Sequence, residues 1–307
     1  MTVHTEPYAL RRLAIIGCGL IGGSFGLAMR KAFPDIAVVG YGRSNSNLMA
    51  AQQCGAITHI ATSLPDAVTG ADVVLLSVPV GAVFDTLSAI APHLKPEALL
   101  MDAGSTKQDM VAAAAAVFSD AAPNAFSLAN VVPAHPIAGK EKAGVTNAEA
   151  TLYNDRLVIL TPTPQTTRNA TAAAEAVWQA TGARVIQMDA HRHDRVFGAV
   201  SHLPHLLAFA YMNGVDPTAI PMGGTGFQDF SRIAASDPVV WRDILQTNRT
   251  VVLDQINAFE AALADLKNSL IQGDAETLTS LITQASVRRK AWKLSSGRVP
   301  SNEDDAA

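Results

Sequence analysis

Cysteine is scarce in this 307-residue chain: only Cys18 and Cys54 occur. That is too few for a disulfide framework, and a reducing compartment fits best. Long apolar runs are missing as well. No stretch approaches the roughly 20 residues that a membrane helix needs. The opening MTVHTEPYALRRL lacks the apolar core of a signal peptide, so the cytoplasm is the expected location and no membrane partner is expected. Positive charge is thin. With 23 Lys+Arg against 27 Asp+Glu and a net charge of -4, there is no basic face to displace counterions from phosphates, so no nucleic-acid partner is expected. The one cluster, Arg288-Arg289-Lys290, reads as a solvated helix end. What is present is a globular balance, 49% hydrophobic and 16% charged, which argues against long disorder, over a length that accommodates two domains.

From residue 13 to 188, short β-branched runs alternate with longer Ala-rich stretches, the pattern of a parallel sheet built from strand-helix-strand units. Strands are expected at 13–16, 36–41, 72–78, 98–102, 131–134, 157–160 and 184–188, with helices between them such as 22–32, 80–91 and 107–118. The fold class is α/β, doubly wound. Beyond Asp189 the strand signal stops, and 190–213, 238–267 and 274–295 carry apolar residues at helical spacing. The expected division is a dinucleotide-binding domain over 1–189, a helical substrate-binding and dimerisation domain over 190–295, and a frayed tail over 296–307.

The first strand runs straight into Gly17-Cys18-Gly19-Leu20-Ile21-Gly22 and then a helix, the context that the dinucleotide fingerprint requires. Gly17 permits the tight turn, Gly19 lets a pyrophosphate approach the backbone, and Gly22 lets the helix pack closely. The helix start offers unpaired N–H groups to the phosphates. Ser77 and Pro79, at the end of the third strand, are assigned to the same site. At the end of the second strand an NAD enzyme usually carries an acid for the ribose hydroxyl. Here the residues are Gly42-Arg43-Ser44, and a guanidinium beside a hydroxyl suits a 2′-phosphate, so NADP is the expected cofactor with NAD the alternative.

Polar groups then concentrate in Asp102-Ala103-Gly104-Ser105-Thr106-Lys107, His135-Pro136-Ile137-Ala138-Gly139 and Ser201-His202-Leu203-Pro204-His205. Together with GFQDFSRIAASDPVVWRD at 226–243, these segments resemble the prephenate/arogenate dehydrogenase family of tyrosine biosynthesis, from Leu13 to about Arg249. The resemblance implies oxidative decarboxylation of a cyclohexadienyl acid: hydride leaves the hydroxyl-bearing carbon, carbon dioxide leaves the opposite carbon, and the ring becomes a phenol. It implies His135 as the base and Ser105 as a hydrogen-bonding neighbour of that histidine, although Ser105 also fits a helix N-cap. It places His205 near the substrate side chain, with His202 orienting it, and Arg232 on the ring carboxylate. It also implies a homodimer through the helical domain.

One departure stands out: Gln228 lies where some relatives carry a basic residue. That loss, together with Glu141 as a partner for an amine, favours a substrate range that includes arogenate. The histidines at 191, 193, 202 and 205 have neither an HExxH pattern nor a cysteine partner, so no metal is expected. Two alternatives stay open. One is a β-hydroxyacid-type dehydrogenase, which would need a catalytic lysine in its second domain; the other is a non-catalytic NADP-binding redox sensor.

Overall fold

The computed structural model describes residues 10–119, 125–140 and 142–292. Six parallel strands form the main sheet: β1 (Arg12–Ile16), β2 (Ala37–Tyr41), β3 (His59–Ile60), β4 (Val73–Leu76), β5 (Leu99–Asp102) and β6 (Val131–Val132). Their order is β3-β2-β1-β4-β5-β6, so the strand order reverses between β1 and β4. A crevice opens at such a reversal beyond the strand carboxyl ends, which places the glycine run and Ser77 at its edge.

The strands are apolar on both faces because helices cover both. Leu13, Ile15, Val73, Leu75 and Met101 point into one core with Phe25, Met29 and Trp178. Their neighbours Ala14, Ile16, Val74, Leu76 and Leu100 point into the other with Leu87, Ile90, Met110 and Phe118. That alternation is the two-residue period of a strand, and burial on both sides is why each run reads as continuously hydrophobic. The covering helices are α1 (Leu20–Ala32), α2 (Asn45–Gln53), α3 (Leu64–Val68), α4 (Val83–Ile90), α5 (Gln108–Phe118) and α6 (Arg168–Ala180).

The structure departs from the sequence reading after β5. The expected strand 131–134 is cut at Pro133, which has no N–H for a ladder and whose carbonyl instead accepts from Thr161 N at 2.9 Å. Beyond the cut, β7 (Ala134–Pro136) joins β8 (Leu157–Leu160) and β9 (Arg184–Gln187) in a separate sheet, with β7 antiparallel to β8. The two-residue β3 was not anticipated because so short a run has no period to read.

From Ala190 onward the regular elements of the described residues are all helices. They comprise α7 (Ala190–Phe197), a π-helical segment (Gly198–His202), α8 (Leu203–Gly214), α9 (Thr225–Ser231), α10 (Pro238–Thr247), α11 (Arg249–Gln272) and α12 (Ala275–Ala291). The expected single helix over 238–267 is broken at Asn248, whose φ of -102° and ψ of 27° leave the helical range. No described helix is long and apolar enough to cross a membrane. The expected tail over 296–307 lies outside the described residues.

Candidate active site

The glycine run forms an open cradle. Gly17 has a φ of +99°, and a side chain there would meet the Ser77 carbonyl oxygen at 2.2 Å. A Cβ at Gly22 would meet the Gly17 carbonyl oxygen, also at 2.2 Å, so α1 can lie this close to β1 only with glycine. A Cβ at Gly19, by contrast, would meet nothing within 4 Å. Leu20 and Ile21 begin α1, whose cap has no side-chain partner and whose first turn carries no acid. Unpaired amides facing open space fit a dinucleotide pyrophosphate. Pro79 lies three residues past the end of β4 and precedes a 3-10 turn at Val80–Ala82. At the end of β2, Arg43 is exposed, and Ser44 caps α2 by accepting from Asn47 N at 3.3 Å.

The second half of the site is a chain of imidazoles. His135 on β7 shares a 2.8 Å hydrogen bond between its Nδ1 and His193 Nε2, and His193 Nδ1 lies 2.8 Å from Asp194 Oδ1. Asp194 also accepts from the backbone amides of Lys107 at 2.8 Å and Gln108 at 2.9 Å. Burial pushes the Asp194 carboxyl up, but these donors outweigh it and hold its pKa below the ordinary carboxylate value.

An ionised carboxylate only accepts, so His193 Nδ1 carries its proton and His193 Nε2 is an acceptor. His135 must then donate from Nδ1, which leaves its Nε2 lone pair free. Burial, His193, Lys107 and His202 together hold the His135 pKa well below its ordinary value. A proton arriving at Nε2 is met by a chain that ends on a buried negative charge. This is the arrangement of an oriented general base.

His202 is buried, with Nδ1 accepting from Asn248 Nδ2 at 3.0 Å, and burial lowers its pKa to about 4. Asn248 Nδ2 also reaches the Asp194 carbonyl at 2.9 Å, so the break between α10 and α11 supplies a side chain that ties His202 to the backbone of Asp194. His205 donates from Nδ1 to the Ser201 carbonyl at 2.9 Å and stacks on Trp241 with ring centroids 3.5 Å apart. Its pKa is lowered, by burial first and then by the positive charge of Arg232, which places that guanidinium within electrostatic reach. Arg232 follows α9 immediately, and Gln228 is exposed one turn earlier on the same face. Glu141 lies outside the described residues.

Ser105 is half-buried just after β5, and its hydroxyl makes no hydrogen bond among the described residues. It does not cap α5. The helix begins one turn later, and Asp194 takes the place of a local cap by binding the Lys107 and Gln108 amides. Asp194, Asn248 and Trp241 were all missed as site residues, and His193 was considered only as a metal ligand. Both His193 ring nitrogens are occupied by the chain, and among the described residues no cluster of three or more His, Cys, Asp or Glu could hold a metal ion.

Comparison with known proteins finds relatives that span nearly the whole chain. Residues 25–187 match the family model "Prephenate dehydrogenase, nucleotide-binding domain" and residues 189–284 match "Prephenate dehydrogenase, dimerization domain". The chain is 34% identical to the cyclohexadienyl dehydrogenase of Zymomonas mobilis, over 92% of this chain and 96% of that one. It is 31% identical to the prephenate dehydrogenase of Bacillus subtilis, over 95% and 79%. A solved prephenate dehydrogenase from A. aeolicus, in complex with hydroxyphenyl propionate and NAD+, superposes with a TM-score of 0.83 at 32% identity, covering 92% of this chain and 98% of that chain.

Proposed function

The chain belongs to the prephenate dehydrogenase family, and from that premise we propose that it oxidatively decarboxylates arogenate as well as prephenate, using NADP in preference to NAD. The reaction class is that of tyrosine biosynthesis. A nicotinamide dinucleotide held on the glycine run 17–22 would supply the hydride acceptor. The chain's own groups do the rest: His135 Nε2 takes the substrate hydroxyl proton as hydride leaves the same carbon, Arg232 holds the ring carboxylate, and His205, fixed by Trp241, faces the substrate side chain. Carbon dioxide leaves with its bonding electrons retained by the ring, which becomes aromatic. The observation that carries this reading is the directed chain from Asp194 through His193 to His135.

Because His135 works unprotonated and its pKa is held below the ordinary 6.5, kcat/KM is expected to be flat through neutral pH. It should fall only as pH drops below 6.5, where the imidazole takes up a proton before substrate arrives. A pH-rate profile checks this. An acid limb centred above that value would contradict the assignment.

The cofactor preference rests on the end of β2, where Gly42-Arg43-Ser44 supplies no acid and Arg43 is exposed with no partner among the described residues. Arg43→Ala is expected to raise KM for NADP by roughly ten- to hundredfold, the worth of a charge-assisted hydrogen bond or two, and to leave NAD almost unaffected. Equal losses with both cofactors would overturn the preference. For the substrate, Gln228 adds no cation near Arg232, which favours tolerance of the arogenate ammonium group. Reduction of NADP and of NAD, followed by absorbance with prephenate and with arogenate, tests the whole reading. No reduction with either acid would sink it.

A homodimer through the helical half is part of the same proposal. Leu253, Leu263, Leu270, Ile271, Ile282 and Val287 on α11 and α12 are each at least half exposed, and a second copy of the chain would cover them.

A further inference from the structure

The ion pair between Asp102 and Lys107 lies away from the reacting groups, yet it grips the peptide next to His135. Asp102 is 1% exposed and Lys107 0%. The Asp102 carboxylate accepts from Gly104 N at 2.8 Å and from Ala134 N at 2.9 Å, and it pairs with Lys107 Nζ. Lys107 Nζ in turn donates to the Ala134 carbonyl at 2.7 Å. Both backbone groups of Ala134 are therefore held by one ion pair. The main-chain N–H of the same lysine donates to Asp194 at the foot of the imidazole chain. Lys107 thus supports His135 twice, through its strand and through its imidazole partner. Gly104 leaves the room for this, since a Cβ there would press on Asp102 Oδ2 at 2.8 Å.

Stability is weak grounds for such a pair, because well-packed apolar residues of similar volume are often as stable as a buried ion pair or more so. Geometry offers a better reason. We propose that Asp102 and Lys107 are positioning residues that clamp the β7 strand and the Asp194–His193 support as one unit, so that His135 is aligned for proton transfer. This rests on His135 being the base. An electrostatic consequence accompanies the clamp. The groups around His135 are His193 and Asp194 from α7, His202 from the π-helical segment, Asp102 from the end of β5, and Lys107 from the connection between β5 and α5. Among them Lys107 opposes protonation of the imidazole, after burial and His193.

The test is the double variant Asp102→Asn/Lys107→Met, which removes the pair without leaving one charge buried alone. Its kcat is expected to fall about tenfold or more, as for a small misplacement of a reacting group, with KM for substrate and cofactor nearly unchanged. In the same variant the His135 imidazole, followed by NMR and assigned by its loss in His135→Asn, should titrate about one pH unit higher. Asp102→Asn alone, which leaves the Lys107 ammonium without its carboxylate, should move it the opposite way, towards lower pH. A drop in kcat with the His135 titration unmoved would mean that the pair only stabilises the fold, and would overturn the proposal. So would a folded variant with wild-type kcat. The imidazole titration needs no substrate, so a wild-type protein inert towards every cyclohexadienyl acid would sink the functional reading while the titration still decides the pair's hold on His135.

Discussion

Replacing His135 with alanine is expected to lower kcat by about 10²–10⁴-fold, the range for loss of a positioned general base, while KM for the cyclohexadienyl acid changes little. The reason lies in where the imidazole acts. It gains most as the hydroxyl proton moves and hydride departs, so its contribution is larger in the transition state than in the bound substrate. Its Nδ1 is already committed to His193 and its ring edge meets Phe197 at 4.8 Å between centroids, which leaves Nε2 as the nitrogen for chemistry. Steady-state kinetics at neutral pH checks the expectation. Turnover within a few-fold of wild type would remove His135 from the mechanism.

Arg232→Ala should do the reverse. A guanidinium on a carboxylate contributes about 1.5–3 kcal/mol as a charge-assisted contact, so KM is expected to rise roughly ten- to hundredfold. kcat at saturating substrate should fall less, because the carboxylate is held both before and during the reaction. A secondary change should accompany it at His205. The Arg232 charge lowers the His205 pKa, so its removal should raise the titration of that imidazole. A variant with wild-type KM for both prephenate and arogenate would free Arg232 from the role. The contrast between the two variants, one in kcat and one in KM, separates proton transfer from carboxylate binding.

The parts of this fold that were legible in the sequence are those whose cause is local. Residues 13–22 contain a strand buried on both faces, a glycine turn and a helix start in sequence, and each leaves its own mark on residue choice. β6 and β7 leave a blurred one, a single strand expected at 131–134. With two or three residues apiece, they are defined by Pro133 and by partners in different sheets rather than by any period. The site shows the same split. His135 stood out because of the run around it, whereas His193 and Asp194 sit in Ala-His-Arg-His-Asp-Arg, which reads like any solvated helix start. What buries them is a contact 87 residues away in sequence, where Asp194 meets the Lys107 amide. Asn248 was hidden for a related reason, since one polar residue inside a helical period looks like a surface position until the helix breaks there.

The π-helical segment at Gly198–His202 has a consequence for which length changes this chain can tolerate. A π turn carries one residue more than an α turn, and one residue is about 100° of rotation about the axis. His193 and Asp194 stand before the segment, His202 is its last residue and His205 follows it. Deleting a single residue there would shorten the rod by only about 1.5 Å, but it would swing everything downstream by more than a quarter turn. His202 would then leave Asn248 and His205 would leave Trp241. Insertions and deletions should therefore gather in loops, and this five-residue stretch should keep its length even where its side chains drift.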